Sequence, residues 1–322
     1  MNRTAGNRSG LLAVLLIVVG IPVAVLGYQY GLRPMLSEHR IIDVEARTPE
    51  DGGFSPDTIR VDVGETVTLR FSAEDVTHGI AIGPGLGIDL GQIDPGHTEN
   101  VTVTFDSPGI YTYYCNTWCS ADHWRMRGII EVVAAGSATA DDPPDPIIDA
   151  LAAASIDIDA EPQTTTGISP DVSRAGMSIE SVVIPPELED PDWLLQHSPA
   201  EGADILGTAN PDLSADLLID VVAYLWTPAE PDSATAGLYT KNCAACHGES
   251  GEGDGPAAET TIERPAAFSD VAWLRRGDIW YAKIRRGGMG TDMPNFGTLF
   301  TAEETLELVG YLWYLAFDSP PE

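Results

Sequence analysis

The run TIRVDVGETVTLRFS, residues 58–72, holds two short segments rich in β-branched residues, separated by Gly64 and Glu65. Segments of this kind between turn residues are typical of neighbouring β-strands. Similar runs recur from Ile41 to about Val133, with Gly, Pro and Asp turns between them: IIDVEA, ENVTVTF, IYTYY and GIIEVV. The pattern predicts an all-β domain over residues 41–135, built as an antiparallel sandwich or barrel.

An apolar stretch precedes this domain. No acidic or basic side chain occurs between Arg8 and Arg33, and residues 11–32 read LLAVLLIVVGIPVAVLGYQYGL. As a helix this stretch would be about 33 Å long at ~1.5 Å per residue, enough to cross a bilayer. We therefore expect one transmembrane helix over 11–32, with residues 1–10 as a cytoplasmic N-terminus. A cleaved signal peptide is the alternative, but the run is long for one and no small-x-small cleavage site follows it.

The sequence changes character after the β-domain. Residues 136–175 are rich in Ala, Asp, Pro, Thr and Ser, a composition typical of a flexible linker. Helical patterns follow, and SADLLIDVVAYLW at 214–226 resembles TAEETLELVGYLW at 301–313, each opening with an N-cap residue and an acidic first turn. The repeat leaves two interpretations of 176–230 open. The segment is either the remnant of a second domain related to the one predicted at 234–318, or a set of helices with similar packing duties.

The charge balance restricts the class of partner. The chain carries 49 acidic and 17 basic residues, a net charge of −32, and its only two lysines are Lys241 and Lys283. Binding to nucleic acid is excluded because it requires clustered Lys and Arg. Such acidity suits a surface solvated at high salt, or an acidic docking face for a basic electron donor.

Two pairs of cysteines indicate two cofactor sites. The first pair lies in CNTWCSADHWRM, residues 115–126, and this stretch also supplies an imidazole and a thioether. His78, which follows the TVTLRFS strand, could join them across a sandwich. Thiolate, thioether and imidazole are soft donors that favour copper or zinc. Zinc sites usually take four strong ligands and have no use for Met126, and a disulfide across so short a gap would stabilise little.

The C-x3-C-x3-H-x2-M spacing with an upstream D-V-x-H resembles the CuA domain of subunit II of haem-copper oxidases, over about residues 40–135. The resemblance implies a cupredoxin-like Greek-key sandwich with a dinuclear copper centre. It also implies the following ligands: Cys115 and Cys119 bridging the two copper ions, His78 and His123 binding one each, and Met126 and the Thr117 carbonyl as weak outer ligands. Many oxidases have a glutamate at the position of Thr117 that binds magnesium. The absence of this glutamate and the single predicted transmembrane span point to the more divergent oxidase subunits II, or to related nitric oxide reductases with a CuA subunit.

The second pair lies in a C-x-x-C-H motif at Cys243, Cys246 and His247, which predicts one covalently attached haem c with the histidine as an iron ligand. The Gly-rich stretch after it and the MPNFG sequence at 293–297 resemble class I cytochromes c. The resemblance implies an all-α domain over 234–318 with Met293 as the sixth ligand, and Met289 is the reserve candidate. A redox dithiol or a zinc knuckle is the alternative. Residues 176–230 contain no cysteine, so a related domain there would be haem-less.

Together these features predict the electron-entry subunit of a haem-copper terminal oxidase, with no catalytic residue of its own. Electrons would pass from a c-type cytochrome or another donor through haem c and CuA to a polytopic catalytic subunit I. Covalent haem attachment takes place outside the plasma membrane of a prokaryote, which places the globular domains on the periplasmic or extracellular side. A CuA-containing nitric oxide reductase and a stand-alone membrane-tethered electron carrier are the alternatives.

Overall fold

The computed structural model describes residues 16–21, 23, 40–120, 122–137, 139–140, 144–160, 163–165, 167–228 and 232–317. From residue 40 on, strands come first and helices second. The strands are β1 (Arg40–Ala46), β2 (Phe54–Ser55), β3 (Thr58–Asp62), β4 (Thr66–Ala73), β5 (His78–Gly83), β6 (Ile88–Ile93), β7 (Thr98–Thr104), β8 (Gly109–Cys115) and β9 (Arg127–Val133). The helices are α1 (Pro146–Ala153), α2 (Val172–Ser178), α3 (Pro191–Gln196), α4 (Pro199–Ala209), α5 (Ala215–Trp226), α6 (Ser233–Asn242), α7 (Ala244–His247), α8 (Phe268–Val271), α9 (Gly277–Arg286) and α10 (Ala302–Phe317).

The strands form two packed sheets, in the orders β2-β1-β4-β7 and β3-β9-β8-β5-β6. In β4 the side chains of Val67, Leu69 and Phe71 are fully buried, whereas the alternate residues are more exposed. A period of two is what a strand shows when one face covers a core and the other faces solvent. The prediction of an all-β sandwich followed by a helical domain is confirmed.

The prediction that the sandwich is antiparallel is wrong in two places. Strand β1 pairs with β4 in parallel, and β3 pairs with β9 in parallel. Only Pro56 and Asp57 separate β2 from β3, and the chain passes from one sheet to the other there. Strand β3 therefore pairs with β9, which is distant in the sequence. Turn residues indicate only where one strand ends and the next begins, so they cannot predict a pairing of this kind.

The central strands of the five-stranded sheet are covered on both faces. All six residues of β5 are buried. Ile80 and Ile82 belong to the sandwich core, but Ala81, and Tyr114 of β8, belong to the core of the helical part. A Cβ atom at Gly83 would lie 1.9 Å from the carbonyl oxygen of Leu299. Small residues on this face of β5 thus let the helical part dock directly on the sheet.

The helical part has one continuous core. Trp226 of α5 lies in the same buried cluster as Tyr239, Trp280 and Trp313. The helices over 176–230 therefore pack against those over 234–317 and share their core. Both halves of the sequence repeat are helical, as α5 and α10; the relation of 176–230 to a cytochrome stays a prediction.

The expectation of a flexible linker over 136–175 is wrong for its middle part. Helix α1 lies there, with the Asp145 carboxylate capping its N-terminus. Asp145 also accepts hydrogen bonds from Tyr281 and Arg285 of α9, at 2.9 and 3.1 Å. Asp159 forms an ion pair with Arg286. Acidic side chains in a composition typical of linkers thus bind this segment to the basic residues of α9.

The predicted transmembrane helix at 11–32 lies, apart from residues 16–21 and 23, outside the described residues. Within the described part of the chain, no helix combines the length and the apolar character needed to cross a membrane.

The contact between Gly83 and Leu299 generates a stability prediction. We expect Gly83→Ala to destabilise the protein by about 1–3 kcal/mol, because the new methyl group meets a backbone carbonyl that cannot rotate away. The measurement is thermal unfolding, with Gly237→Ala in α6 as the control because a Cβ atom there meets no atom within 4 Å. Equal stability of the two variants would show that the close approach at Gly83 is not required.

Candidate two-centre redox site

The first candidate centre lies where β5, β8 and the loop before β9 meet. The Sγ atoms of Cys115 and Cys119 are 3.7 Å apart, and Nδ1 of His78 is 4.0 Å from Cys115 Sγ. Among the described residues, these three form the only group of His, Cys, Asp and Glu side chains close enough to hold a metal ion. All four cysteines are free thiols, so neither pair forms a disulfide.

The remaining predicted ligands surround this group. The Sδ atom of Met126 is 3.8 Å from Cys119 Sγ, and the Thr117 carbonyl oxygen is 3.0 Å from Cys115 Sγ. His123 is buried, and its Nδ1 atom has no hydrogen-bond partner. The structure thus brings five of the six predicted ligands together: His78, Cys115, Thr117, Cys119 and Met126. His123 lines the same cavity as Cys115, but the group close enough to hold a metal ion does not include it. A set of two thiols, two imidazoles and a thioether fits copper.

Electrostatics prepare this centre for a cation. Hydrogen bonding from Cys119, with further contributions from His123 and His78, lowers the pKa of Cys115, although burial alone would raise it. The pKa of Cys119 is raised because it shares its proton with Cys115 and is itself buried. Metal ligands are thiolates, so the lowered pKa of Cys115 favours the form that binds a metal.

Asp75 orients one of the histidines, a role that the sequence analysis did not assign. Its carboxylate lies 2.7 Å from Nε2 of His78 and accepts hydrogen bonds from the backbone N–H groups of Thr48 and Val76. This contact leaves Nδ1 of His78 facing Cys115. A carboxylate that fixes the tautomer of a ligand histidine is a common feature of metal sites, and the D-V-x-H spacing was the available signal.

The second candidate centre lies at the junction of α6 and α7. Burial lowers the pKa of His247 to about 4, which keeps the imidazole neutral and able to bind a metal. Burial also raises the pKa of Cys243 to about 12 and raises that of Cys246. The two cysteine pairs therefore differ electrostatically, because burial keeps Cys243 and Cys246 protonated whereas hydrogen bonding favours ionisation of Cys115.

The two candidate sixth ligands are in different surroundings. Met293 lines the cavity beside His247, whereas Met289 is 72% exposed and lies outside that cavity. Gly287, with φ of 82°, makes room for the loop, since a Cβ atom there would be 2.7 Å from the Met293 carbonyl oxygen. Thr291 Oγ1 accepts a hydrogen bond from the Met293 N–H. These contacts favour Met293 as the ligand.

One cavity touches both candidate centres. Tyr114, Cys115 and His123 line one side, and Cys243, Cys246, His247 and Met293 line another. Four cations also line it, although the chain has only 17 basic residues. They are Arg127, Arg264, Arg275 and Lys283. In the described part of the chain, none of the three arginines has a carboxylate within ion-pair distance. A cavity with thiols, a neutral imidazole, a thioether and unpaired cations fits a haem, which carries two propionates.

Charged residues that sequence reasoning missed join the two centres. Lys241, two residues before Cys243, forms an ion pair of 2.7 Å with Asp89 of β6. The same carboxylate accepts a hydrogen bond from Asn116, the neighbour of Cys115. On the opposite side, Arg125 lies 3.6 Å from Asp292, the neighbour of Met293. Such pairings between distant segments leave no pattern in the sequence.

Comparisons with known proteins agree with the two-domain organisation. Residues 37–128 match a family model described as Cupredoxin-like domain, and residues 230–312 match one described as Cytochrome C oxidase, cbb3-type, subunit III. Each match covers less than a third of the chain. The chain thus contains a cupredoxin-like domain followed by a cytochrome c domain, and these two domains indicate a role in electron transfer.

Similarity to individual proteins is local. The nitrous-oxide reductase of Stutzerimonas stutzeri is 36% identical over 67 residues, which is 21% of this chain and 10% of that protein. The nitrous-oxide reductase of Cupriavidus necator is 34% identical over 84 residues, 25% of this chain and 13% of that protein. The chain therefore spans only a small part of these relatives.

Two solved structures are also similar. A chain of a heme-copper terminal oxidase dimer is 22% identical, with 40% of this chain and 99% of that chain covered and a TM-score of 0.27. The periplasmic domain of subunit II of cytochrome oxidase from Bradyrhizobium japonicum is 18% identical, with coverages of 30% and 84% and a TM-score of 0.25.

Substitutions at the first centre should separate bridging from outer ligands. We expect Cys119→Ser to destroy the spectrum of an electron shared by two copper ions, because one bridge is lost. Met126→Leu should keep the copper and shift its potential, since only a weak ligand is removed. Copper content, electron-spin resonance and potentiometry check this, with Met177→Leu, at a residue that is 82% exposed, as the control. An unchanged spectrum in the serine variant would rule out the ligand set.

At the second centre, Met293→Ala should lower the haem potential, because methionine opposite histidine raises it. Met289→Ala changes the same residue type four positions away, in an exposed position, and should leave the potential unaltered. Potentiometric titration of the haem absorbance checks both. The opposite pattern would assign the ligand to Met289.

Proposed function

We propose that this chain is the electron-entry subunit of a membrane haem-copper terminal oxidase, of the cytochrome c oxidase subunit II type. In this proposal its cupredoxin-like domain carries a dinuclear CuA centre and its cytochrome c domain carries one covalent haem c. Electrons pass from a donor such as a c-type cytochrome through these centres to a polytopic catalytic subunit. The chain itself performs no catalysis, because protein ligands fill both predicted metal sites.

The single observation that carries the proposal is the cavity shared by the two centres. Its walls include Cys115 and His123 from the cupredoxin-like domain and Cys246 and His247 from the cytochrome c domain. Two redox centres that contact one cavity can exchange electrons within the chain, without diffusion of a carrier. A carrier or copper-handling protein with independent sites would not need this juxtaposition.

When bound, the haem and the copper pair would supply the one-electron chemistry, in which one electron moves and no bond forms or breaks. The protein supplies the geometry. Asp75 holds the His78 imidazole in place, and the lowered pKa of Cys115 favours the thiolate that would bind copper. Phe268 stacks on the His247 ring at 4.9 Å, and the carbonyl of Gly248 accepts a hydrogen bond from buried Tyr239 at 2.6 Å. Fixed ligands keep structural reorganisation small when an electron moves.

We further propose that residues 11–32 anchor the chain as a single transmembrane helix in the plasma membrane of a prokaryote. The globular domains then lie on the periplasmic or extracellular side, since covalent haem attachment takes place there. The supports are the long apolar run and the C-x-x-C-H motif.

The test is to purify the chain with its partners from native membranes and to supply a reduced donor. We expect rapid, cyanide-sensitive oxygen uptake, and loss of this uptake in a complex that carries Cys119→Ser, because that variant keeps the haem but lacks the copper bridge.

Other acceptors would change the proposal in defined ways. Nitric oxide turnover without oxygen uptake would move the complex to the reductase alternative and keep the ligand assignments. The local similarity to nitrous-oxide reductases makes nitrous oxide the third gas to supply. Purification without any polytopic haem protein would favour a stand-alone carrier.

A further inference from the structure

Arg127 stands between the two candidate centres. It is the first residue of β9 and directly follows Met126, the predicted outer copper ligand. Its Nε donates a hydrogen bond to the Trp124 carbonyl at 3.1 Å, within the same domain. One of its terminal nitrogens donates to the carbonyl of Asn295, two residues after Met293. The guanidinium therefore binds a backbone carbonyl from each domain.

The guanidinium has a further contact with the haem side. It lies 4.8 Å from the centroid of the Phe296 ring, a cation–π contact with the same loop. Arg127 is half-buried and lines the shared cavity. In the described part of the chain, no carboxylate forms an ion pair with it, whereas its neighbour Arg125 lies near both Asp122 and Asp292. Its positive charge can therefore interact with a negatively charged group bound in the cavity.

Two other contacts hold the loop over 292–299 against the same strands. Thr298 accepts a 2.8 Å hydrogen bond from Thr112 of β8, and Leu299 lies against Gly83 of β5. Strands β5 and β8 carry His78 and Cys115. The loop that carries the predicted haem ligand therefore lies on the strands that carry the predicted copper ligands, and Arg127 is the cation at this contact that faces the cavity.

We infer that Arg127 is a positioning residue that the two centres share. It holds the loop over 292–299, which contains Met293, against the cupredoxin-like domain, and it places a positive charge without an ion-pair partner at the cavity that would hold the haem. The inference rests on the proposed two-centre relay. Reduction of either centre adds one negative charge, so a nearby cation favours both reduced forms. The effect on the haem is the larger one because a terminal nitrogen of Arg127 binds Asn295 and the guanidinium lies over Phe296, both in the loop that carries Met293. Arginine suits this task because its planar fork can bind two carbonyls at once and keeps its charge.

The test measures how one electron per chain distributes between haem and copper at equilibrium. In Arg127→Gln we expect the distribution to shift toward copper by about tenfold, the order of effect expected for one charge lost near a partly buried site. Arg127→Lys keeps the charge and should stay within about twofold of the wild type. The control is Arg70→Gln, on the four-stranded sheet, where the arginine pairs with Asp43, and it should not shift the distribution.

The possible results are separable. Should Arg127→Gln lose its haem, Arg127→Met replaces it, because a long neutral side chain fills the same space. A wild-type distribution in the neutral variant, with both centres loaded, would overturn the role of Arg127 and leave the relay intact. A wild-type chain that fails to bind both haem and copper would overturn the relay itself.

Discussion

The close contact between the Met293 loop and the strands that carry the copper ligands is the constraint on which the rest of the structure depends. Gly83 allows a backbone carbonyl to approach β5 at a distance that no side chain would permit. That approach buries β5 and β8 on both faces, one against the sandwich core and the other against the helical core. The shared cavity is the space that remains beside this contact, so docking of the domains and proximity of the two centres are one feature.

Charge is distributed to suit this arrangement. The chain has a net charge of −32, yet four of its few cations line the cavity. Acidic residues outside the cavity serve other contacts: Asp89 holds Lys241 across the domains, and Asp145 and Asp159 hold the segment around α1 onto α9. The acidity that the sequence shows as a surface property therefore also has a structural use, because it binds separate segments to the few basic side chains.

Most of the fold class and the close approach of Cys115, Cys119 and Met126 could be predicted from the sequence, because they depend on local patterns. The β-branched runs specify strands, and the C-x3-C-x3-H-x2-M and C-x-x-C-H spacings place donors within single loops. The rest depends on contacts between distant segments. Nothing near Gly83 indicates that Leu299 packs on it, and nothing near Arg127 indicates Asn295 as its partner. The sequence did not reveal the helix at Pro146–Ala153, because its composition resembles that of a linker. The helix is held by contacts of Asp145 with Tyr281 and Arg285 of α9, which are distant in the sequence.

The measurement that tests the central claim most directly is electron exchange within one isolated chain loaded with copper and haem. A short light pulse with a photoreductant would place a single electron on the haem, and absorbance would follow its arrival at copper. The shared cavity predicts transfer at a first-order rate that does not change with protein concentration. A rate proportional to protein concentration, or no transfer to copper, would contradict a relay within the chain.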